Sequence, residues 1–457
     1  MLNLVWKGLI MGKIYMQDMT EKSVAFLTLG CKVNTYETDA MKELFLAAGF
    51  VEKDFSDKAD VYVINTCTVT NIADRKSRQM LHKAKKHNPD SVVIAVGCYV
   101  QAAKEALEID ESIDLVIGND NKKNIVEILG EYYKDNSNNE AWIDLSKNRE
   151  YEELSIQNAG EKTRAYIKVQ DGCNQFCSYC IIPYTRGRVR SRKLAEVVSE
   201  VKKLVQAGYK EVVLTGIHLS SYGIDFEEKL TLLDLIVAVS EVEGLERIRL
   251  GSLEPRIITE EFVETLSKNK KFCPHFHLSM QSGCNETLKR MNRRYTSEEF
   301  YEKCELIRKW FELPAITTDV IVGFPGETIE EFNTTKEFVQ KVAFAQMHVF
   351  KYSKRKGTRA EVMENQVDEQ EKHARSTALL EVEHKMRKGY QNQFKGRTEY
   401  VLIEEEVTID GVTYQIGHNE RYLKLAIVSD HDYTNGIVKV TVKDNITDDL
   451  LLCEIIN

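Results

Sequence analysis

Between residues 22 and 134 short apolar runs alternate with longer stretches of helical spacing. Val24-Ala-Phe-Leu-Thr-Leu, Val61-Tyr-Val-Ile and Val92-Val-Ile-Ala-Val are unbroken apolar runs of strand length, the texture of strands covered on both faces. Residues 35–48 and 73–86, which lie between them, repeat their apolar positions at the helical period. Strand–helix–strand order predicts a doubly wound parallel sheet, and such sheets bind ligands beyond the carboxyl ends of their strands. The three runs end at Gly30-Cys31, Asn65-Thr66-Cys67 and Gly97-Cys98. A buried structural thiol is the commoner fate of cysteine, but three unrelated ones would not share one address. Cys31, Cys67 and Cys98 therefore read as one metal site with no evident fourth ligand.

The next stretch, 135–160, is polar, rich in Asn, Glu and Lys, and reads as a linker. From Arg164 the strand–helix unit returns. Strands are expected at Ala165-Tyr-Ile-Lys-Val, Glu211-Val-Val-Leu-Thr-Gly and Arg247-Ile-Arg-Leu. Three more are expected near His275, at Ile316-Thr-Thr-Asp-Val-Ile-Val-Gly and at Gln346-Met-His-Val-Phe. Six strands fall short of the eight of a closed (βα) barrel, so a partial (βα)6 barrel with its chemistry at the carboxyl edge is expected, closed by a helix over 368–386. After Gln391 the texture changes to five short β runs, which predict a small OB-like barrel.

The chemistry concentrates in Cys173-Asn-Gln-Phe-Cys177-Ser-Tyr-Cys180. A cubane iron–sulfur cluster takes one ligand per iron, so three thiolates leave one iron open for a substrate or cofactor. Zinc prefers paired CxxC units and a fourth ligand, and no second pair occurs in this chain. Cys273, Cys284, Cys304 and Cys453 have no ligand spacing with one another and read as buried thiols.

At 457 residues, 43% hydrophobic and 29% charged, the chain is long enough for two to four globular domains. Its ten cysteines are too sparse and uneven for a secreted disulfide scaffold, which points to a reducing, cytoplasmic setting. No run reaches the roughly 18 apolar residues of a membrane span. Periodic structure begins only at Ser23, so Met16 or Met19 competes with Met1 as the start. A net charge of −9 argues against a protein that coats nucleic acid, but not against a local basic site. Two such sites occur: Arg186, Arg188, Arg190 and Arg192 directly after the cysteine triplet, and Lys351-Tyr-Ser-Lys354-Arg355-Lys356-Gly-Thr-Arg359. In the last segment Lys395, Arg397, Arg421, Tyr422 and Lys424 are the candidates for RNA contact.

The whole chain from Ser23 onward resembles the radical S-adenosylmethionine (SAM) methylthiotransferases. The resemblance rests on TLGCKVNTYETDAM, NTCTVTNIADRKSRQ, CNQFCSYCIIPYTRGRVRSR, HLSMQSGCNETLKRMNRRYT and DVIVGFPGET. GCKVN and IIPYTRGRVRSR are similar to the MtaB branch, which acts on N6-threonylcarbamoyladenosine at position 37 of tRNA. Lys351 and Arg359 depart from that family, standing where it would place prolines. The resemblance implies three domains: a methylthiotransferase N-terminal domain at 22–134, a radical SAM core at 159–389 and a TRAM RNA-binding barrel at 392–457. It implies two [4Fe-4S] clusters, one on Cys173, Cys177 and Cys180, whose open iron binds SAM, and an auxiliary one on Cys31, Cys67 and Cys98. Reductive cleavage of SAM would give a 5′-deoxyadenosyl radical that takes hydrogen from adenine C2, where a methylthio group is then installed. Thr215, Gly216, Glu254, Gln281, Val322 and Gly323, at strand ends, would lie against SAM or substrate. The implied partners are a tRNA anticodon stem-loop, an electron donor such as flavodoxin or ferredoxin, and a sulfur source, with no membrane. Methylthiolation of isopentenyladenosine tRNA, or of a ribosomal protein, is the alternative within the family. A non-catalytic iron–sulfur RNA-binding module is the alternative outside it.

Overall fold

Every residue of Val61–Thr66 and Val92–Gly97 is buried, as unbroken apolar runs require. In the computed structural model these strands form the centre of a six-stranded parallel sheet. The structure describes residues 22–103, 107, 110–134, 140–141, 150–157 and 163–456. The candidate start residues Met1, Met16 and Met19, and much of the expected linker, lie outside them. Contacts divide the chain into two compact units. One is Met1–Ala159 with Gln170–Asn174 and Cys180–Arg192; the other is Gly160–Val169, Gln175–Tyr179 and Lys193–Asn457.

In the first unit the sheet order is Val51–Lys53, Ser23–Thr28, Val61–Thr66, Val92–Gly97, Leu115–Ile117 and Glu140–Ala141, all parallel. Alternate side chains divide between two cores. Val61, Val63, Ile94 and Val96 pack with Met41 and Phe45 of the helix Lys32–Ala47 and with Ile125 and Leu129 of Ile125–Lys134. Tyr62, Ile64, Val93 and Ala95 face Leu81 and Ala84 of the helix Asn71–His87. Thr70 caps that last helix by accepting the Ala73 N–H. This is the doubly wound arrangement expected from the sequence. The 135–160 stretch departs from its reading as a loose connection. Glu140–Ala141 adds a sixth strand, and Leu154 and Ile156 are buried. Tyr36 donates its hydroxyl to the Leu154 carbonyl at 2.5 Å.

In the second unit Glu211–Gly216 pairs in parallel with Arg247–Leu250 and lies beside the strand Arg164–Asp171. Parallel bridges at Ile248–Phe272 and Leu253–Leu278 lead on to His275–His277, Ala315–Val322 and Gln346–Lys351. These six strands form the partial (βα)6 barrel. The connecting helices start where capping boxes fix them, at Thr231, Thr296 and Thr328. The last helix, Glu369–Asn392, is capped by Asp368 and runs further than the expected 386. A closed five-stranded barrel follows, in the order Thr398–Ile409, Val412–His418, Lys424–Ile427, Leu451–Ile455 and Ile437–Asn445. A bulge between Ile403 and Glu405 bends its long first strand. Val401, Ile403, Leu425, Ile427, Val440 and Leu451 fill its interior. Among the described residues no helix is long and apolar enough to cross a membrane.

Candidate active site

Sheet register brings the first three cysteines together. Thr66 pairs with Gly97, so Cys67 and Cys98 leave adjacent strand ends side by side. Leu29 donates to the Asn65 carbonyl, which holds the turn carrying Cys31 to the same edge. A Cβ on Gly30 would lie 2.9 Å from both Cβ and Sγ of Cys67, so the turn presses directly on that cysteine. Asn34 completes the frame: its Nδ2 donates to the carbonyls of Leu29 and Thr66 at 2.7 and 3.0 Å. Burial pushes the Cys67 thiol up to about 11, so ligation here must expel a proton held tightly in the metal-free protein.

Arg186 lies against this edge, fully buried. Its Nε donates to Cys98 Sγ at 3.2 Å, Nη1 to Glu37 at 2.8 Å and to Asp171, and Nη2 to Asn34 Oδ1 at 2.6 Å. Arg190 pairs with Asp120 at 3.0 Å, and Arg192 donates to the Tyr36 hydroxyl at 3.2 Å. All three are at least 95% buried. The expectation of a phosphate-binding strip at 186–192 is therefore corrected: Arg186, Arg190 and Arg192 are buried cations whose partners lie inside the fold. Arg188 alone of the four is part-exposed.

The segment carrying the triplet contributes residues to each unit. In the first unit Asp171 accepts the Gly172 N–H at 2.7 Å, and Cys173 donates its N–H to the Gly187 carbonyl at 3.0 Å. In the second, Asn292 donates to the carbonyls of Gln175 and Phe176, and Ser178 bonds the Met291 and Arg290 carbonyls. Arg293 donates to Cys177 Sγ at 3.4 Å, to the Ser279 carbonyl at 3.0 Å and to the Tyr295 hydroxyl at 3.0 Å. Among the described residues no three His, Cys, Asp or Glu side chains surround a single-ion position, the arrangement a zinc knot needs. A cubane instead takes its thiolates on separate irons, and soft sulfur donors gathered at a sheet edge fit that demand.

The expected SAM contacts lie in the second unit. Thr215 and Gly216 end one strand, with Thr215 buried. Glu254 is also buried, its carboxylate 3.6 Å from His218 Nε2 and 3.6 Å from Arg256 Nε. Gln281 has a left-handed φ of 71° and bridges Val320. Gly323, after Val322, has φ +68°, and a Cβ there would lie 2.3 Å from Lys372 Cγ, so packing alone demands glycine. His218 escaped the sequence reading. It shares a 2.6 Å hydrogen bond with Ser221, and burial lowers it below its usual value although Glu254 opposes that. Arg293 also escaped it, since nothing in its local spacing marks it as a donor to Cys177.

In the barrel, Lys395 pairs with Asp444 and Arg397 with Glu312, all exposed. Lys424 lies 3.7 Å from Glu405. Tyr422, a candidate for RNA contact, is engaged within the protein. Its ring already stacks on His418 at 4.5 Å, with the Arg249 guanidinium 4.7 Å from its centroid. Arg421 donates to the Leu313 and Glu312 carbonyls, which engages its guanidinium inside the protein.

Comparison with known proteins places these features. The family model described as the radical SAM superfamily matches residues 167–339, and that described as the uncharacterized protein family UPF0004 matches 23–118. The superfamily match implies SAM and a [4Fe-4S] cluster. In fold, the chain is similar to the radical SAM methyltransferase TsrM from Kitasatospora setae. The TM-score is 0.54 at 16% identity, over 75% of this chain and 77% of that one. In sequence, it is 42% identical to the threonylcarbamoyladenosine tRNA methylthiotransferase MtaB of Bacillus subtilis, over 92% of this chain and 93% of the relative. It is 41% identical to the protein of that name from Aquifex aeolicus, over 84% and 93%. A tRNA-2-methylthio-N(6)-dimethylallyladenosine synthase of Finegoldia magna is 34% identical, over 92% of each. At these identities, over most of this chain and of each relative, the chain belongs to the radical SAM tRNA methylthiotransferases.

Proposed function

We propose that this enzyme transfers a methylthio group to C2 of N6-threonylcarbamoyladenosine at position 37 of tRNA. The observation that carries this choice of substrate is the identity gap: 42% and 41% to relatives named for threonylcarbamoyladenosine, against 34–36% to relatives named for dimethylallyladenosine. Cys173, Cys177 and Cys180 would hold the cluster that binds SAM. Cys31, Cys67 and Cys98, gathered at one sheet edge, would hold a second. When bound, SAM and a reduced cluster supply a 5′-deoxyadenosyl radical. The chain's part is to hold three thiolates at each centre. Arg186 and Arg293 direct N–H donors at two of the six sulfurs. Thr215, Gly216, Glu254, Gln281, Val322 and Gly323 remain the proposed contacts to SAM or substrate.

An enzyme that acts on a base must draw it from its stack, and phosphate contacts hold the loop while it does so. With the arginines after the triplet buried, the second basic run takes on that role in this proposal. Lys354, Lys356 and Arg359 are exposed, and the neighbouring Ala360 N–H bonds the Ser178 carbonyl inside the triplet. Arg188, Lys395, Arg397 and Lys424 remain secondary candidates. The protein would work in the cytoplasm with an electron donor of the flavodoxin or ferredoxin kind and a sulfur source.

Mass spectrometry of nucleosides from tRNA of a deletion strain tests the reading. Loss of the 2-methylthio form of threonylcarbamoyladenosine, restored by the gene, is expected. Loss of methylthiolated isopentenyladenosine instead would transfer the proposal to that substrate.

A further inference from the structure

We infer that Arg186 is a positioning residue of the centre formed by Cys31, Cys67 and Cys98, and that its hydrogen bond to Cys98 raises that centre's reduction potential. The inference rests on the proposal that these cysteines hold a cluster.

A guanidinium has five N–H donors and no acceptor, in a planar fork that fixes where each points. Four acceptors surround Arg186: Cys98 Sγ, Glu37, Asp171 and Asn34 Oδ1. With the side chain fully buried, water cannot substitute for any of them. Glu37 and Asn34 lie on the helix that starts at Lys32, directly after Cys31. Asp171 ends the strand before Cys173. The carboxylates therefore do more than neutralise the cation: they fix its plane, and so aim the remaining Nε–H at the sulfur. A second buried cation, Lys122, stands 3.4 Å from Glu37. Glu37 thus keeps a counter-charge of its own and is not simply the ion-pair partner of Arg186.

A hydrogen bond to a ligating sulfur draws electron density from it and stabilises the more negative, reduced state of a cluster. Of the three cysteines, only Cys98 receives a cationic donor among the described hydrogen bonds. Asn119 Nδ2 lies 3.8 Å from the same sulfur, a longer and neutral contact. The effect therefore falls on one corner of the centre. A structural salt bridge would have no need of that geometry, since Glu37 and Asp171 already satisfy the charge.

The test uses the full chain carrying Cys173→Ala, Cys177→Ala and Cys180→Ala, reconstituted without oxygen, so that only this centre remains. Dithionite supplies one electron per cluster in a titration followed by electron paramagnetic resonance. Iron content is measured in the same samples. Arg186→Gln removes the cation that bonds both Glu37 and Asp171 and is prone to misfold, so two further variants are used. Arg186→Lys keeps the charge, and Arg186→Met with Glu37→Gln removes one charge of each sign. The expected result is full iron content in both, with a potential shifted to more negative values and the larger shift in the double variant. A potential equal to that of the parent, with iron retained, would overturn the inference while leaving the cluster in place. No iron in the parent would instead defeat the two-cluster reading itself, and the inference with it.

Discussion

Gly172 precedes the first cysteine of the triplet and tests the frame around it most directly. Its φ is +69°, and a Cβ built there would lie 1.8 Å from the Arg188 carbonyl oxygen and 2.4 Å from the carbonyl carbon. A methyl carbon approaches such an oxygen no closer than about 3.3 Å, so the two backbones would have to separate by roughly 1.5 Å. Both sides are pinned, since the Cys173 N–H bonds the Gly187 carbonyl at 3.0 Å. For Gly172→Ala the left-handed backbone costs about 1–2 kcal/mol, and overpacking adds about 1–3 kcal/mol. A middle value of about 3.5 kcal/mol corresponds to a melting temperature roughly 7–14 °C lower for a unit of this size. Relief of the clash would displace Cys173, so the variant should also lose about four irons per chain after reconstitution. Gly411→Ala is the control. Its φ is +81° with nothing within 4 Å of the built Cβ, so only the backbone cost of about 1–2 kcal/mol applies and iron is unchanged. Differential scanning fluorimetry of the metal-free proteins and a colorimetric iron assay measure the two effects. A Gly172→Ala protein that melts with the control and binds full iron would refute the reasoning.

Three other outcomes are expected. Glu211 accepts from Arg164 Nε at 2.5 Å and Arg249 Nε at 2.9 Å. Burial would raise its carboxyl, but Arg249 and Arg164 prevail and bring it from 4.5 to about 2. That stability is present above pH 4.5 and is lost as pH falls towards 2. It amounts to about 3 kcal/mol, and acid-unfolding curves should show it in the parent and not in Glu211→Gln. Tyr36→Phe removes the bond to Leu154 and should cost about 1–3 kcal/mol, with faster amide exchange at 150–157; unchanged exchange there would contradict the buried reading of that segment. Lys354→Glu with Lys356→Glu and Arg359→Glu should weaken tRNA binding and flatten its dependence on log salt by about 2 units at about 0.7 per lost contact. Iron content should be unchanged, and a salt slope equal to the parent's would remove this loop from the RNA surface.

The sheet edges were legible because burial on both faces leaves an unmistakable trace: Val61-Tyr-Val-Ile and Val92-Val-Ile-Ala-Val contain no polar position to misplace. Each cysteine follows such a run, so its address came with the strand. The 150–157 segment was missed because its buried apolar residues, Leu154 and Ile156, are embedded among acids, and their burial becomes sensible through partners far away in sequence, such as Tyr36. The strand expected near His275 is short, His275–His277, and the chain beyond it continues only as single bridges at Leu278 and Gln281. Arg186, Arg190 and Arg192 were misread for a deeper reason. A run of cations looks the same in sequence whether solvent, phosphate or carboxylate faces it. The partners that decide the matter, Glu37, Asp120 and Asp171, come from three separate elements.

That ambiguity also separates two arginines that touch cysteine sulfur. Arg186 reaches Cys98 with Glu37 and Asp171 on its other nitrogens, so its charge is balanced where it sits. Arg293 reaches Cys177 while its other donors go to the Ser279 carbonyl and the Tyr295 hydroxyl, which are neutral. Near Cys98 the directed hydrogen bond dominates, because the carboxylates cancel most of the cation's field at longer range. Near Cys177 the hydrogen bond and an unbalanced positive charge act in the same direction, both favouring an electron-rich sulfur. Replacing arginine with lysine should therefore matter less at 293, where charge is retained, than at 186, where aim is lost. Two residues of one type, each one bond from a cysteine, are thus held to different tasks by what stands behind them.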